Sequence, residues 1–133
     1  MRADLITQSL ELAGERCEDL TPLVYRRLFA RRPELASKFG HNAHSVQGEM
    51  LARALETILD FVGDRAYAAN LIEAEAAAHA TYEVPHDLFG DFFGVIAEAI
   101  QECLGADWTN DMSVAWRDLI VDISACAART EGI

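Results

Sequence analysis

Positive charge is scarce in this sequence: Lys and Arg total 11 against 22 Asp and Glu in 133 residues, a formal net charge of −11. A protein that grips DNA or RNA needs a basic excess to neutralise phosphate, so nucleic acid is excluded as a partner. A basic face for anionic lipid is excluded on the same ground. Long apolar runs are missing too; none approaches the ~20 residues that cross a bilayer, so no membrane association is expected. The opening MRADLITQSLELAGERCEDL is charged and amphipathic, which argues against a signal peptide and for a cytoplasmic protein. There are only three cysteines, Cys17, Cys103 and Cys126, widely spaced and without a C-x-x-C pair. That spacing supports neither a zinc site nor a thioredoxin-type centre, and each cysteine is expected to be a separate small core residue in a reducing cytoplasm. A glycine-rich phosphate loop and a nucleophile elbow are absent, and no acid pair stands apart from a solvated helix face. Hydrolase and nucleotide chemistry have no support.

What is present is helix periodicity. Hydrophobic residues make up 51% of the chain, enough for one packed domain spanning 1–133. Leu5/Ile6, Leu10, Ala13, Cys17 and Leu20 step by three or four and give one apolar stripe. Thr21-Pro22 starts a second helix, with threonine as cap and proline in the first turn, and Val24, Tyr25, Leu28 and Phe29 on one side. Arg32-Pro33 ends it, a short helix runs to Lys38, and Gly40–Ser45 reads as a loop. Val46, Met50/Leu51, Leu55, Ile58/Leu59 and Val62 form the next stripe, broken at Gly63-Asp64. An alanine-rich helix covers Asn70 to about Thr81. Pro85 opens a long helix to Leu104, with Gly105 as its stop. Thr109 caps the last helix, whose buried face is Met112, Ala115/Trp116, Leu119, Ile123 and Cys126/Ala127. The fold class is therefore all-α, with about seven helices and no strands. Gly90 and Gly94, on one face of the penultimate helix, predict close approach of a neighbour.

Among the four histidines, His79 stands out, because it shares an apolar face with Leu71, Ile72 and Ala76. By pattern alone it is either a core histidine bonded to a carbonyl or a ligand. The alanines before it leave room for a flat bulky group beside the imidazole.

Several segments, in order, resemble one family. Val24-Tyr25-Arg26-Arg27-Leu28-Phe29-Ala30-Arg31-Arg32-Pro33-Glu34-Leu35-Ala36-Ser37-Lys38-Phe39 resembles the second and third helices of bacterial single-domain globins and of the globin domains of flavohaemoglobins. Gln47-Gly48-Glu49-Met50-Leu51 is similar to the start of their distal helix, and His79-Ala80-Thr81-Tyr82 followed by Pro85 and Leu88-Phe89 to their proximal histidine, turn and next helix. Leu104-Gly105, Trp108-Thr109 and Ala115-Trp116 resemble the approach to their last helix.

The resemblance implies a globin fold, with helices crossing mostly at ~50° around haem b. It assigns His79 to the iron, Phe39 and Tyr82 to the porphyrin surroundings, Tyr25 and Gln47 to the bound O₂, and Leu51 to the apolar wall of the distal pocket. Bound O₂ gathers negative charge, which a phenol and an amide can both stabilise by donating hydrogen bonds. NO and CO are implied as further ligands. The implied roles are O₂ storage or delivery, or NO detoxification to nitrate as an NO dioxygenase. With no flavin or nicotinamide module in the chain, that activity requires an external reductase. A monomer or weak homodimer is expected. The alternative is a six-coordinate redox or gas-sensing haem protein in which His44 or His41 takes the distal position. Two positions depart from the family pattern. Phe89 stands where flavohaemoglobin-like domains carry a tyrosine ten residues after the proximal histidine, and Met50 stands where a basic residue often lies near a haem propionate. The first leaves His79 a less electron-rich ligand and disfavours O–O cleavage. The second leaves Arg53 and His86 as candidate propionate partners.

Overall fold

In the computed structural model, residues 2–38, 43–63 and 87–128 are described, and no strand occurs among them. Helix α1 spans Ala3–Arg16, α2 Thr21–Arg31, α3 Ala43–Val62, α4 Asp87–Leu104 and α5 Asn110–Ala128. Two 3₁₀ segments, Pro33–Lys38 and Gly105–Asp107, follow α2 and α4. The expected helix over 70–81 lies outside the described residues.

The punctuation follows local chemistry, with three adjustments. Helix α1 stops at Arg16 rather than reaching Leu20, because Cys17 turns to extended backbone. Thr21 is the first residue of α2 rather than its cap, which is Leu20; the Asp19 carboxylate before it accepts from the Thr21 amide at 3.0 Å and hydroxyl at 2.6 Å. Those hydrogen bonds hold the Asp19 carboxyl below its ordinary range. Helix α3 begins at Ala43, inside the stretch expected as a loop, so the backbone at His44 is helical. Two further signals fall where expected. Gly105 sits in the left-handed region at φ +54, ending α4. The Thr109 hydroxyl accepts from the Met112 amide at 3.1 Å and caps α5.

Helix α4 is the centre, packing against α1, α2 and α5. Val95, Ile96, Ala99 and Ile100 are fully buried, as are Leu119 and Ile123 of α5. The two glycines of α4 admit close neighbours in different directions: a Cβ at Gly90 would lie 3.0 Å from the Ser124 hydroxyl of α5, and one at Gly94 3.4 Å from the Arg31 guanidinium of α2. Outside this core, Arg31 reaches Glu98 at 2.5 Å and Arg32 reaches Asp91 at 2.7 Å, tying α2 along α4. Pairs that stay partly in contact with solvent, as these do, contribute little free energy and chiefly fix alignment.

Helix α3 buries a narrower arc than its hydrophobic pattern. Leu51, Ala54, Ile58 and Phe61 face inward, while Val46 is 37% and Leu59 50% exposed. Apolar residues cover more than one side of this helix, and a stripe with 3.6 residues per turn can meet the core along only one line.

Two long-range pairings hold the α1 side. The indole N–H of Trp116 donates to the Ser9 hydroxyl at 2.9 Å, and that hydroxyl donates to the Ile6 carbonyl at 2.7 Å, all within the core. Ser9→Ala strands the indole donor away from water and is expected to cost about 1–3 kcal/mol of stability. Urea denaturation checks this, and a loss below about 0.5 kcal/mol would mean the indole finds another acceptor.

The second pairing corrects the expectation of separate thiols, since Cys17 and Cys103 form a disulfide. Cys17 closes α1 and Cys103 lies in the last turn of α4, and these two ends meet. Arg16 reinforces the junction, donating to the Leu104 carbonyl at 2.9 Å and pairing with Asp107. Such bonds persist under oxidising conditions, unlike the reducing setting expected from cysteine count alone.

Candidate functional site

Tyr25 lies one turn into α2, where Pro22 presets the backbone and Val24 and Leu28 face the core beside it. The residue is 2% exposed and its hydroxyl oxygen is buried with the ring. Its ring tilts against Phe29 on the same helix at 5.8 Å and against Phe92 of α4 at 5.9 Å. Phe92 in turn meets Phe93 edge-on at 6.1 Å. An aromatic cage of this sort disfavours the phenolate, and burial pushes the Tyr25 phenol well above its ordinary value near 10. Tyr25 is therefore a neutral O–H donor at any pH near neutrality.

Leu51 comes from α3, which packs against both α2 and α1. It is 4% exposed and belongs to the same core cluster as Tyr25. Gln47 lies four residues earlier, on the same side of α3, and is half-buried. So the α2–α3 side carries one buried hydroxyl on an apolar wall, with an amide nearer the surface. Long-range sequence distance hides the Tyr25–Phe92 contact, which no local signal could have located.

The remaining expected positions, Phe39, His41, His79, Tyr82 and His86, lie outside the described residues. Among the described side chains no group of three or more His, Cys, Asp or Glu could hold a metal ion. Phe89 falls in the first turn of α4, and Arg53 is exposed on α3.

Among the described residues, Tyr25 sets a neutral donor in an aromatic and aliphatic part of the core, chemistry suited to a small, uncharged guest rather than to an ion or phosphate. The class this defines is a helical binding protein for a small ligand. The globin family model matches residues 23–126, which take in α3 and α4 and most of α2 and α5 among the described residues, and the chain belongs to the globin family. No curated protein matches the chain significantly. Membership implies a haem-binding, gas-binding protein. The donor chemistry fits that cofactor: haem is flat and apolar, and a gas bound to it needs a neutral donor in a dry pocket. No helix among the described residues is long and apolar enough to cross a membrane.

Proposed function

We propose that this protein binds haem b through His79 and reversibly binds O₂, with NO and CO as further ligands. The observation that carries the reading is the buried, neutral Tyr25, which shares one core with Leu51 in a chain of the globin family. Haem iron, when bound, supplies the coordination site for the gas and the electron density that polarises it. The side chains do the rest. The Tyr25 hydroxyl donates a hydrogen bond to the polarised ligand, and its surroundings exclude water that would compete for that donor. Gln47 offers a second donor from its amide. Leu51 would close the pocket with apolar bulk, while Phe39 and Tyr82 would help to hold the porphyrin. CO gains less charge than O₂ on binding, so two donors favour O₂. Strong O₂ retention suits O₂ storage, or NO detoxification to nitrate with a separate reductase restoring the ferrous state; delivery would follow only if release is fast enough.

The deciding experiment is a haem titration followed by absorption, in the ferric form, after dithionite, and in air. A Soret band, a five-coordinate ferrous spectrum and a stable spectrum in air are expected, with stable haem uptake abolished in His79→Ala. Absence of uptake by the unaltered chain would overturn the reading. A six-coordinate ferrous spectrum would transfer the function to redox or sensing chemistry, with His44 as the residue to replace.

A further inference from the structure

A cleft of about 330 Å³ opens between α1 and α3 beside the α1–α2 turn. Gly14 and Cys17 border it on one side, and Leu55 and Leu59 of α3 on the other. Among the described residues, none from α4 lines it. The cleft therefore meets one half of the disulfide: Cys17 borders it and Cys103 does not. Both cysteines are half-buried. A thiolate opens a disulfide by attack on one sulfur, in line with the S–S bond and from the side away from the leaving sulfur. The α1–α3 side, to which α4 contributes no wall, gives such an approach to Cys17. Space lies open along it, since a Cβ at Gly14 or Gly48 would meet nothing within 4 Å.

The charges around the bond are divided. Beside Cys103, Glu102 is held by Arg26 at 3.6 Å and by Arg27 at 3.2 Å. Arg16, next to Cys17, turns to the Leu104 carbonyl at 2.9 Å and to Asp107. The cleft itself is lined by two acidic side chains, Glu18 and Asp19, and by no Lys, Arg or His among the described residues. Hydrogen bonds from Thr21 keep the Asp19 carboxylate ionised. An anionic thiol is repelled on entering such a cleft, and a thiol carried beside an ammonium group is attracted.

We infer that Cys17 is the sulfur at which this disulfide opens, that the α1–α3 cleft is the route to it, and that the cleft selects a small cationic aminothiol over an anionic thiol. The incoming thiolate bonds to the Cys17 sulfur as the Cys17–Cys103 bond breaks, and Cys103 leaves as a thiolate that takes a proton from water. A second thiolate then attacks the reagent's sulfur in the mixed disulfide, freeing Cys17 and leaving the reagent as its own disulfide. Two thiols thus supply the two electrons. The inference does not depend on haem binding.

Reduction of the full chain by cysteamine, mercaptoethanol and mercaptoethanesulfonate tests it. Each rate is taken per thiolate and relative to the rate on an uncharged small-molecule disulfide, which removes the reagents' intrinsic nucleophilicity. Cysteamine is expected to exceed the sulfonate about fivefold or more at low ionic strength, with mercaptoethanol between them, and salt should narrow the spread. Quenching with iodoacetamide partway and mapping by mass should place the mixed disulfide on Cys17 and the alkyl group on Cys103. Glu18→Gln/Asp19→Asn should remove most of the spread. Asp111→Asn/Asp118→Asn takes as much charge from α5, which does not line the cleft, and should leave the spread intact. Gly14→Trp should slow mercaptoethanol by about threefold or more as bulk enters the cleft. A mixed disulfide on Cys103, a folded chain that no thiol reduces, or an unaltered rate in Gly14→Trp would overturn the route. No spread in the unaltered chain, or a spread narrowed equally by the α5 pair, would overturn selection by the cleft and leave only the overall charge of −11.

Discussion

Tyr25→Phe is expected to speed O₂ dissociation by about ten- to a hundredfold. A hydrogen bond to a charged or strongly polarised acceptor contributes about 1.5–3 kcal/mol, and each 1.4 kcal/mol is about a factor of ten in the dissociation constant. The substitution is clean, because the ring contacts with Phe29 and Phe92 survive removal of the hydroxyl. Stopped-flow O₂ displacement by CO measures the rate, and the CO dissociation rate should change far less. An unchanged O₂ rate would remove Tyr25 from the ligand-binding machinery. The same variant carries a pH signature. The folded phenol holds its proton above the ordinary value near 10, whereas the unfolded chain releases it there. Between those two values the folded state binds more protons, so stability is complete below the unfolded value and falls as pH rises. Tyr25→Phe should flatten this alkaline loss in denaturation curves taken above pH about 10.

Breaking the Cys17–Cys103 bond is expected to lower stability by up to about 4.5 kcal/mol, since the bond closes a loop with a sequence separation of 86. Against a typical total of about 5–15 kcal/mol for a domain, that is a large fraction. The decisive comparison is urea denaturation of the holoprotein with and without reductant, beside the double variant Cys17→Ala/Cys103→Ala. The double variant should match the reduced protein and ignore reductant. A midpoint insensitive to reductant in the unaltered chain would show that the bond contributes nothing to stability. The junction retains Arg16, which bonds the Leu104 carbonyl at 2.9 Å, so the helix ends should stay together in folded, reduced protein.

Much of the helical framework was legible from residues a few positions apart. Pro33 after Arg32 marks the end of α2, Gly63 the end of α3, and Gly105 the end of α4, because proline and glycine restrict or release φ within a single turn. The inward face of α5 also follows from spacing alone, Met112, Ala115, Trp116, Leu119 and Ile123 recurring at helical period along nearly one line. The ordered set of motifs pointed to the globin family, which the family match over residues 23–126 establishes. Of the candidate site, Tyr25 on its buried face was readable from its spacing with Val24 and Leu28. Its donor role came through the resemblance, since a core tyrosine looks the same by periodicity.

By itself, then, the sequence determined the class of the fold, the ends of α2, α3 and α4, and the family to which the chain belongs. Tertiary structure decided everything that depends on which surfaces meet. It selected the buried arc of α3 from a broader apolar pattern, leaving Leu59 at the rim of a cleft. It brought Cys17 to Cys103, and Ser9 to Trp116 across 107 positions. The physical reason is range. Helix propensity, capping and chain breaks act between residues no more than a turn or so apart, and so leave a local trace in the order of amino acids. A disulfide, a buried indole hydrogen bond or a shared cavity wall requires only that two distant segments arrive at the same place, and packing alone brings them there.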